Sequence, residues 1–319
     1  MNDNTDATPR ADGSPAGGSG PVRVLERAPN LAVLYPKALL KRGGGKELPD
    51  TRLVLRDVAV DQERLADYAR VCGFGLGSTL PGTYPHVLAF PLAIALMSEP
   101  KFPFPLPGIV HIGNTISQLR PIAPTEPLTF EVTAEGLRPH RRGRQFDVVT
   151  HARIGDETVW RGVATYLRRG SGSHPDDGGG PEAASADGDS DGAAALASDY
   201  VVDGTGDGPA PTAVWRVPGS IGRAYASASG DRNPIHLHPL TAKLYGFPRA
   251  IAHGMWVKAR CLAALGGRLP DAYTVDVRFA KPVLLPTTVE FGAREAAGGW
   301  DLSVASKGRP HLTGRALRE

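Results

Sequence analysis

The chain of 319 residues is poor in cysteine and has no long apolar run. Its two cysteines, Cys72 and Cys261, lie far apart, which excludes a disulfide framework and a CxxC metal site. No run of about eighteen or more apolar residues occurs, and the N-terminus is polar and glycine-rich, so the sequence predicts neither a membrane span nor a secretory leader. We expect a cytoplasmic protein in which both cysteines are small, buried apolar residues.

Charge is unevenly distributed along the chain. The net charge is +3, yet the stretch between Gly170 and Thr212 holds nine acidic residues and no lysine or arginine. The remainder is therefore markedly basic, which suits either a solubilising surface or the attraction of anionic acyl thioesters. The arginines are dispersed and form no known nucleic-acid module, so no nucleic-acid partner is expected. The run from Arg138 to Arg144 is typical of a charged hairpin turn.

Two polar, glycine-rich tracts divide the chain. Residues 1–24 are expected to be a disordered tail, because they bury too few apolar groups to offset their ordering entropy. Residues 170–211 have a similar composition and are interpreted as an acidic linker. Two segments of similar pattern, 25–169 and 212–319, are then predicted as two domains.

The two segments repeat each other. Each has a predicted helix that ends at a glycine, Gly73 in the first and Gly230 in the second. Each then has an apolar helix, predicted over 85–97 and 253–265. Strand-forming runs follow, and 121–130 matches 282–291; further strands are predicted over 145–154, 158–167, 302–306 and 312–317. This order predicts an α+β fold in which a long helix is wrapped by a curved antiparallel sheet, twice over.

One polar motif in the second segment carries candidate chemistry. The run Ser229-Gly-Asp-Arg-Asn-Pro-Ile-His236 places a carboxylate, Asp231, five positions before an imidazole, around an Asn-Pro turn. His253-Gly254-Met255 then opens the second apolar helix. Free backbone N–H groups at such a helix start can stabilise a developing oxyanion. Each residue alone is common in ordinary loops, so the ordered combination is the informative feature.

The stretch from Tyr225 to Met255 resembles the MaoC-like dehydratase, or hydratase-2, family. This resemblance implies a double hot-dog fold with a degenerate N-terminal unit and a catalytic C-terminal unit, which could also form a homodimer. It implies an (R)-specific enoyl-thioester hydratase, equivalently a 3-hydroxyacyl-thioester dehydratase, with syn addition of water to a trans-2-enoyl thioester. The substrate would be an acyl-CoA or acyl-carrier-protein thioester, with no cofactor and no metal. Where the family usually carries Asp or Glu, this chain has His238.

The same resemblance assigns roles to the motif residues. Asp231 and His236 would hold and activate one water, and the backbone N–H of Gly254 would bind the thioester oxygen. Asn233, Ser229 and His253 would support the site or contact substrate. The first segment has Phe74 where the second has Asp231, and it lacks the residues that would carry an imidazole. The space left there predicts an apolar acyl tunnel, whose candidate lining is Phe74, Leu76, Leu80, Val87 and Phe90.

Three alternatives stay open at this point. A hot-dog thioesterase would use a carboxylate to activate water at the carbonyl carbon, and a noncatalytic subunit would bind acyl thioesters without turnover. Asp231 with His236 and His238 also offers ligand types that suit zinc or iron. Taken one at a time, the tunnel candidates are more typical of ordinary core residues.

Overall fold

The structure is a computed structural model that describes residues 20–40, 44–75, 77–170 and 208–319. The predicted tail up to residue 19, most of the predicted linker (171–207) and the predicted tunnel residue Leu76 lie outside the described residues. The described part contains two halves of similar build.

The N-terminal half begins with a short strand and a helix that precede its repeat unit. Its elements are β1 (Val22–Leu25), α1 (Leu31–Leu40), β2 (Arg52–Val58), α2 (Gln62–Cys72), α3 (Tyr84–Met97), β3 (Ile109–Gln118), β4 (Leu128–His140), β5 (Gly143–Ile154) and β6 (Glu157–Arg169). The C-terminal half consists of β7 (Pro211–Val217), α4 (Ile221–Ser229), α5 (Pro234–Leu237), α6 (Pro239–Leu244), α7 (Gly254–Leu265), β8 (Tyr273–Phe279), β9 (Thr287–Ala296), β10 (Gly299–Ser306) and β11 (Arg309–Arg318).

The described strands form one sheet in the order β1-β2-β4-β5-β6-β3-β8-β11-β10-β9-β7. Leaving β1 aside, the order of the second half mirrors that of the first about the junction between β3 and β8. These two strands pair antiparallel, with Asn114 opposite Val277 and Ile116 opposite Val275. The continuous ladder joins the halves without leaving a free sheet edge at their junction.

One central helix fills each half. The helices α3 and α7 are apolar around most of their circumference, which is the pattern of a buried helix. Leu92 and Leu96 of α3, and Ala259 and Cys261 of α7, are fully buried in the shared core. Cys72 at the end of α2 is also buried, and both cysteines are free thiols, as predicted.

A buried lysine ties α7 to the strand junction. Lys258 is fully buried. Its Nζ donates to the Asn114 carbonyl at 3.0 Å, to Asn114 Oδ1 at 2.6 Å and to the Val275 carbonyl at 3.1 Å. Burial lowers the pKa of Lys258 well below its usual range, because the charged form loses its hydration. Three acceptors from β3 and β8 thus satisfy the amine at the place where the halves meet.

The predicted α+β double hot-dog fold is confirmed, and so are its main elements. The helices ending at Gly73 and Gly230 are α2 and α4, and both glycines are left-handed, with φ of 83° and 82°. The central helices and the four later strands lie where they were predicted. The run from Arg138 to Arg144 forms the β4–β5 hairpin.

Other boundaries were wrong or missed. Val22–Leu25, mostly within the predicted tail, pairs as a parallel strand with β2, because alternating apolar and polar residues fit a sheet edge. Residues 121–127 and 282–286 are loops that precede β4 and β9 rather than strand. Pro211, placed in the linker, already begins β7. The junction strands β3 and β8 were not predicted. The division into domains stays a prediction.

Candidate active site

The turn after α4 holds the Asp231 carboxylate. Gly230, which ends α4 in the left-handed conformation, lets the chain reverse before Asp231. The N–H of Asp231 donates to Ser229 Oγ at 3.2 Å, and the N–H of Asn233 donates back to Asp231 Oδ1 at 3.2 Å. The hydroxyl of Tyr35, on α1, donates to the same Oδ1 at 2.8 Å. The carboxylate is therefore fixed through one oxygen.

His236 lies on the short helix α5, which the Asn233-Pro234 pair starts. Asn233 caps this helix with its side-chain oxygen, and Pro234 occupies the first helical position, as its fixed φ favours. The ring of His236 is buried, and its Nδ1 lies 2.8 Å from the carbonyl oxygen of Ile251. A carbonyl can only accept, so Nδ1 carries the proton and Nε2 presents a lone pair.

His253 supports both groups from the residue before α7. Its ring stacks on the ring of His236, with the two centroids 3.6 Å apart. It also contacts the ring of Tyr225, whose centroid lies 4.8 Å from its own. Its Nε2 lies 3.0 Å from the carbonyl oxygen of Asp231, so Nε2 is the protonated nitrogen. A carboxylate oxygen of Asp231 and ring nitrogens of His236 and His253 all lie within 4.8 Å of one another.

Burial sets the protonation states. It acts to raise the pKa of Asp231, but His253 and His236, together with hydrogen bonds from Tyr35 and Asn233, hold that pKa below its usual value. Burial lowers the pKa of His236 and takes that of His253 to about 3. Both imidazoles are therefore neutral near pH 7, while Asp231 is ionised. The hydrogen bonds to Asp231 are the stabilising contributions that do not depend on a protonated histidine.

All three groups lie on one cavity of about 350 Å³ between the two halves. Most of its lining is apolar, contributed by α3 (Phe90, Ile94, Met97) and by the loop before β3 (Leu106, Pro107). Gly254 lies beside the polar end of the same cavity. A small-molecule site with a few polar groups in an apolar pocket is built in this way.

Gly254 is the first residue of α7, where helix N–H groups have no partner within the helix. A Cβ at this position would lie 3.1 Å from the Phe279 ring, which also lines the cavity. A side chain there would therefore press on the wall of the cavity and narrow the approach to the free amide.

The other predicted site residues divide in two. Asn233 lines the cavity and also caps α5, whereas Ser229 does not line it and instead supports the Asp231 backbone. Of the tunnel candidates in the described ranges, Phe90 lines the cavity. Phe74, Leu80 and Val87 pack into the core cluster around Tyr68 and α3, and their place in an acyl tunnel stays a prediction. Periodicity could not show which side of the largely apolar helix α3 faces the cavity.

The metal set considered from the sequence is not assembled. His238 is exposed and its Nδ1 accepts from the N–H of Leu240, so it caps α6. His253 stands near Asp231 and His236 instead, but its nitrogen nearest Asp231 is the one that donates to a carbonyl. A protonated ring nitrogen has no lone pair for a metal.

Sequence reasoning missed polar residues of the N-terminal half that line the cavity. Among them are Tyr35, His86, His111 and Tyr166. Burial lowers the pKa of His86 to about 4 and that of His111 to about 3, so both rings are neutral near pH 7. His111 stacks on Tyr166 with ring centroids 4.8 Å apart. These residues belong to no motif, and their proximity depends on how the halves pack.

Comparisons with known proteins find dehydratases among the relatives of this chain. The family model described as "MaoC like domain" matches residues 220–298, which include the Asp231 turn and α7. 3-Hydroxyacyl-thioester dehydratase X of Mycobacterium tuberculosis is 39% identical over 269 residues, which are 84% of this chain and 89% of that protein. A shorter match of 70 residues at 39% identity, 21% of this chain and 45% of that protein, is to 3-hydroxybutyryl-CoA dehydratase of Methylorubrum extorquens.

Solved structures share the fold over most of the chain. The crystal structure of HtdX from Mycobacterium tuberculosis superposes with a TM-score of 0.70 at 37% sequence identity. The match covers 84% of this chain and 100% of that one. A MaoC-like dehydratase from Phytophthora capsici, at 19% identity, shares the fold with a TM-score of 0.65 over 84% of this chain and 95% of its own. Similarity at 39% identity over most of both chains is decisive: this chain belongs to the MaoC-like dehydratase family.

Proposed function

We propose that this chain is an (R)-specific enoyl-thioester hydratase, equivalently a 3-hydroxyacyl-thioester dehydratase, in which Asp231 and His236 act on one water. One observation carries the proposal. An ionised carboxylate and a neutral imidazole with a free Nε2 lie within 4.8 Å, on the cavity that Gly254 also lines. A water that donates one hydrogen to each acceptor directs its oxygen lone pairs away from both, towards a bound substrate.

The groups supply each part of a hydration. As the water oxygen bonds to the β-carbon, Asp231 takes one of the two water protons and passes it to the α-carbon on the same side, where the electron pair of the double bond forms the new C–H bond. His236 Nε2 accepts a hydrogen bond from the other O–H of the water, which stays in the product hydroxyl, so the net change is addition of H and OH. Proton transfer by a placed side chain contributes about 10² to 10⁴ in rate. The N–H of Gly254 stabilises the enolate oxygen, and such a donor contributes roughly 3 to 4 kcal/mol. Because one water serves both carbons, the addition is syn.

The apolar part of the cavity suits the acyl chain. Phe90, Ile94 and Met97 line it along α3, so the N-terminal half would hold the tail while the C-terminal half carries the reacting groups. The names of the relatives favour thioester substrates carried on CoA or on an acyl carrier protein. A cytoplasmic location and a homodimer stay predictions. In the described residues, no helix is both long and apolar enough to span a membrane.

The test follows the enoyl double bond and the thioester bond of one substrate. Crotonyl-CoA is incubated with the purified protein while the enoyl absorbance and the release of free thiol are recorded together. Loss of enoyl absorbance without thiol release, giving (R)-3-hydroxybutyryl-CoA on a chiral column, is the expected result. Thiol release alone would show a thioesterase. If neither signal changes across a series of enoyl chain lengths, the protein binds or processes another ligand and the proposal is wrong.

A further inference from the structure

The N-terminal half reaches into the Asp231 turn through two side chains that no motif contains. Tyr35 on α1 donates its hydroxyl to Asp231 Oδ1 at 2.8 Å. Arg64 on α2 donates through Nε to the Ala228 carbonyl at 2.8 Å and through Nη2 to the Ser229 carbonyl at 2.9 Å. These carbonyls end α4, where a cation also complements the helix dipole. The turn that carries the carboxylate is thus held from the other half of the molecule.

The packing around Gly230 brings the same two elements together. A Cβ at Gly230 would lie 3.1 Å from Arg64 Nη2 and 3.2 Å from Leu31 Cδ1. Leu31 is the first residue of α1, one turn before Tyr35, and Asn30 caps the helix through a 2.9 Å bond from the N–H of Ala32. The start of α1 therefore packs on the turn while its next turn presents the phenol to the carboxylate.

The phenol acts as a fixed donor. Burial, with the negative charge of Asp231 next, raises the pKa of Tyr35 far above its usual value, so the hydroxyl keeps its proton throughout the working range. Oδ1 of Asp231 then accepts from both Tyr35 and the Asn233 N–H. Oδ2 has no comparable short bond, since its nearest ionisable contact is His253 Nε2 at 3.8 Å.

We propose that Tyr35 is a positioning residue for the hydration: its hydroxyl holds Oδ1 of Asp231 so that Oδ2 faces the water, and it favours the ionised carboxylate. This inference rests on the proposed function. Titratable groups of every packed element face the carboxylate, namely His86 on α3, His111 on β3, Tyr166 on β6, Tyr225 on α4, His236 on α5 and His253 before α7. Tyr35 differs from these described groups because its side chain donates a hydrogen bond directly to the carboxylate.

The test compares Tyr35→Phe with Tyr84→Phe. Tyr84 is a buried tyrosine of the same half whose hydroxyl has no hydrogen-bond partner, and it does not line the cavity. Tyr35→Phe should lower kcat about tenfold, the usual effect of losing a hydrogen bond to a charged group, with little change in KM. It should also move the acid limb of the kcat profile to higher pH, because Asp231 then protonates more readily. Tyr84→Phe should change neither.

A second readout does not depend on turnover. The Asp231 carboxyl is titrated by ¹³C NMR in both variants and in the unmodified protein, and Tyr35→Phe should raise its pKa. If Tyr35→Phe folds poorly, 4-fluorophenylalanine at position 35 fills the volume of the hydroxyl without donating. An unchanged carboxyl pKa and acid limb would overturn the role of Tyr35. A chain that hydrates no enoyl thioester, yet shows the shifted carboxyl pKa, would instead refute the proposed function alone.

Discussion

The two halves share one framework and differ in what is inserted into it. In the N-terminal half, Tyr68 on α2 donates to Thr83, the residue before α3, at 2.8 Å. In the C-terminal half, Tyr225 on α4 packs its ring on His253, the residue before α7, at 4.8 Å. A tyrosine thus supports the start of the central helix in both halves, and the reactive imidazole does not belong to this common framework.

The difference lies between the two helices of each half. In the first, a turn of about ten residues joins α2 to α3; in the second, α5 and α6 are inserted between α4 and α7. The insertion carries His236, and the turn before it carries Asp231. The first half instead contributes Tyr35, Arg64 and the apolar wall of the cavity. One copy of the fold carries the proposed reacting groups, while the other contributes contacts to their turn and the apolar wall of the cavity.

The largest expected effect comes from removing the groups found in one half alone. Asp231→Asn and His236→Ala should each lower hydration by about 10² to 10⁴, because the first change removes the proposed base and the second removes an acceptor that holds the water. The matched control is Phe74→Leu, at the position of the first half that corresponds to Asp231. Phe74 packs on Tyr68 outside the cavity, so this variant should keep both rate and chain-length preference. If all three variants lost the same hydration activity while their thermal unfolding stayed unchanged, the proposed division of roles between the two halves would be contradicted.

A second prediction concerns the fifth residue of each central helix, Lys258 in α7 and Leu88 in α3. Lys258→Ala should destabilise the protein by about 3 kcal/mol or more, because it leaves a cavity and unpaired carbonyls of Asn114 and Val275. Leu88→Ala should also destabilise the protein, but only because it leaves a cavity. Urea unfolding at fixed pH measures both free energies of unfolding.

The two substitutions should differ in their pH dependence. The pKa of Lys258 is lowered in the folded state, so below about 10.4, its unfolded value, the unfolded chain binds a proton that the folded chain lacks. Stability should therefore rise with pH from the folded pKa towards that value. Lys258→Ala should remove this contribution to the slope, while Leu88→Ala keeps it. Parallel slopes for the two variants would mean that the amine stays protonated in its three-acceptor site.

A third prediction tests the buried histidines of the supporting half. The pKa of His111 is lowered to about 3 by burial, whereas an unfolded histidine titrates near 6.5. The unfolded chain binds the extra proton between these values, so stability is lost as pH falls below about 6.5. When the pH falls from 7 to 5, the free energy of unfolding should drop by about 2 kcal/mol more in the unmodified protein than in His111→Phe. Urea unfolding at each pH measures this difference. Tyr166 is the stacking partner of His111, and Tyr166→Phe should lose as much stability at acid pH as the unmodified protein. If Tyr166→Phe instead lost as little as His111→Phe, the effect would be due to packing rather than to titration of His111.

Sequence reasoning succeeded where short-range chemistry decides the structure. The Asn233-Pro234 turn, the glycines that end α2 and α4, and the start of α7 at His253-Gly254 are each set by a few neighbouring residues. Tyr35 was missed because it lies 196 positions from its partner Asp231. The junction strand β3 was missed because its polar residues, such as Asn114 and Ser117, are satisfied by the other half rather than by solvent. Of the tunnel candidates, Val87 and Phe90 lie on α3, which is so largely apolar that periodicity could not show which of its sides lines the cavity.

The smallest expected effect concerns His238, the residue that caps α6. Its Nδ1 accepts from the N–H of Leu240 at 3.2 Å, the bond that Asp makes at the start of a helix. His238→Asp should therefore leave stability and turnover within about 0.5 kcal/mol and twofold, while His238→Ala should cost about 1 kcal/mol through the lost cap. Because α6 follows the helix that carries His236, the alanine variant should show slightly faster amide exchange in α6 with kcat nearly intact. A large loss of kcat in His238→Asp, without loss of stability, would place this residue in the chemistry of the C-terminal half rather than in its support.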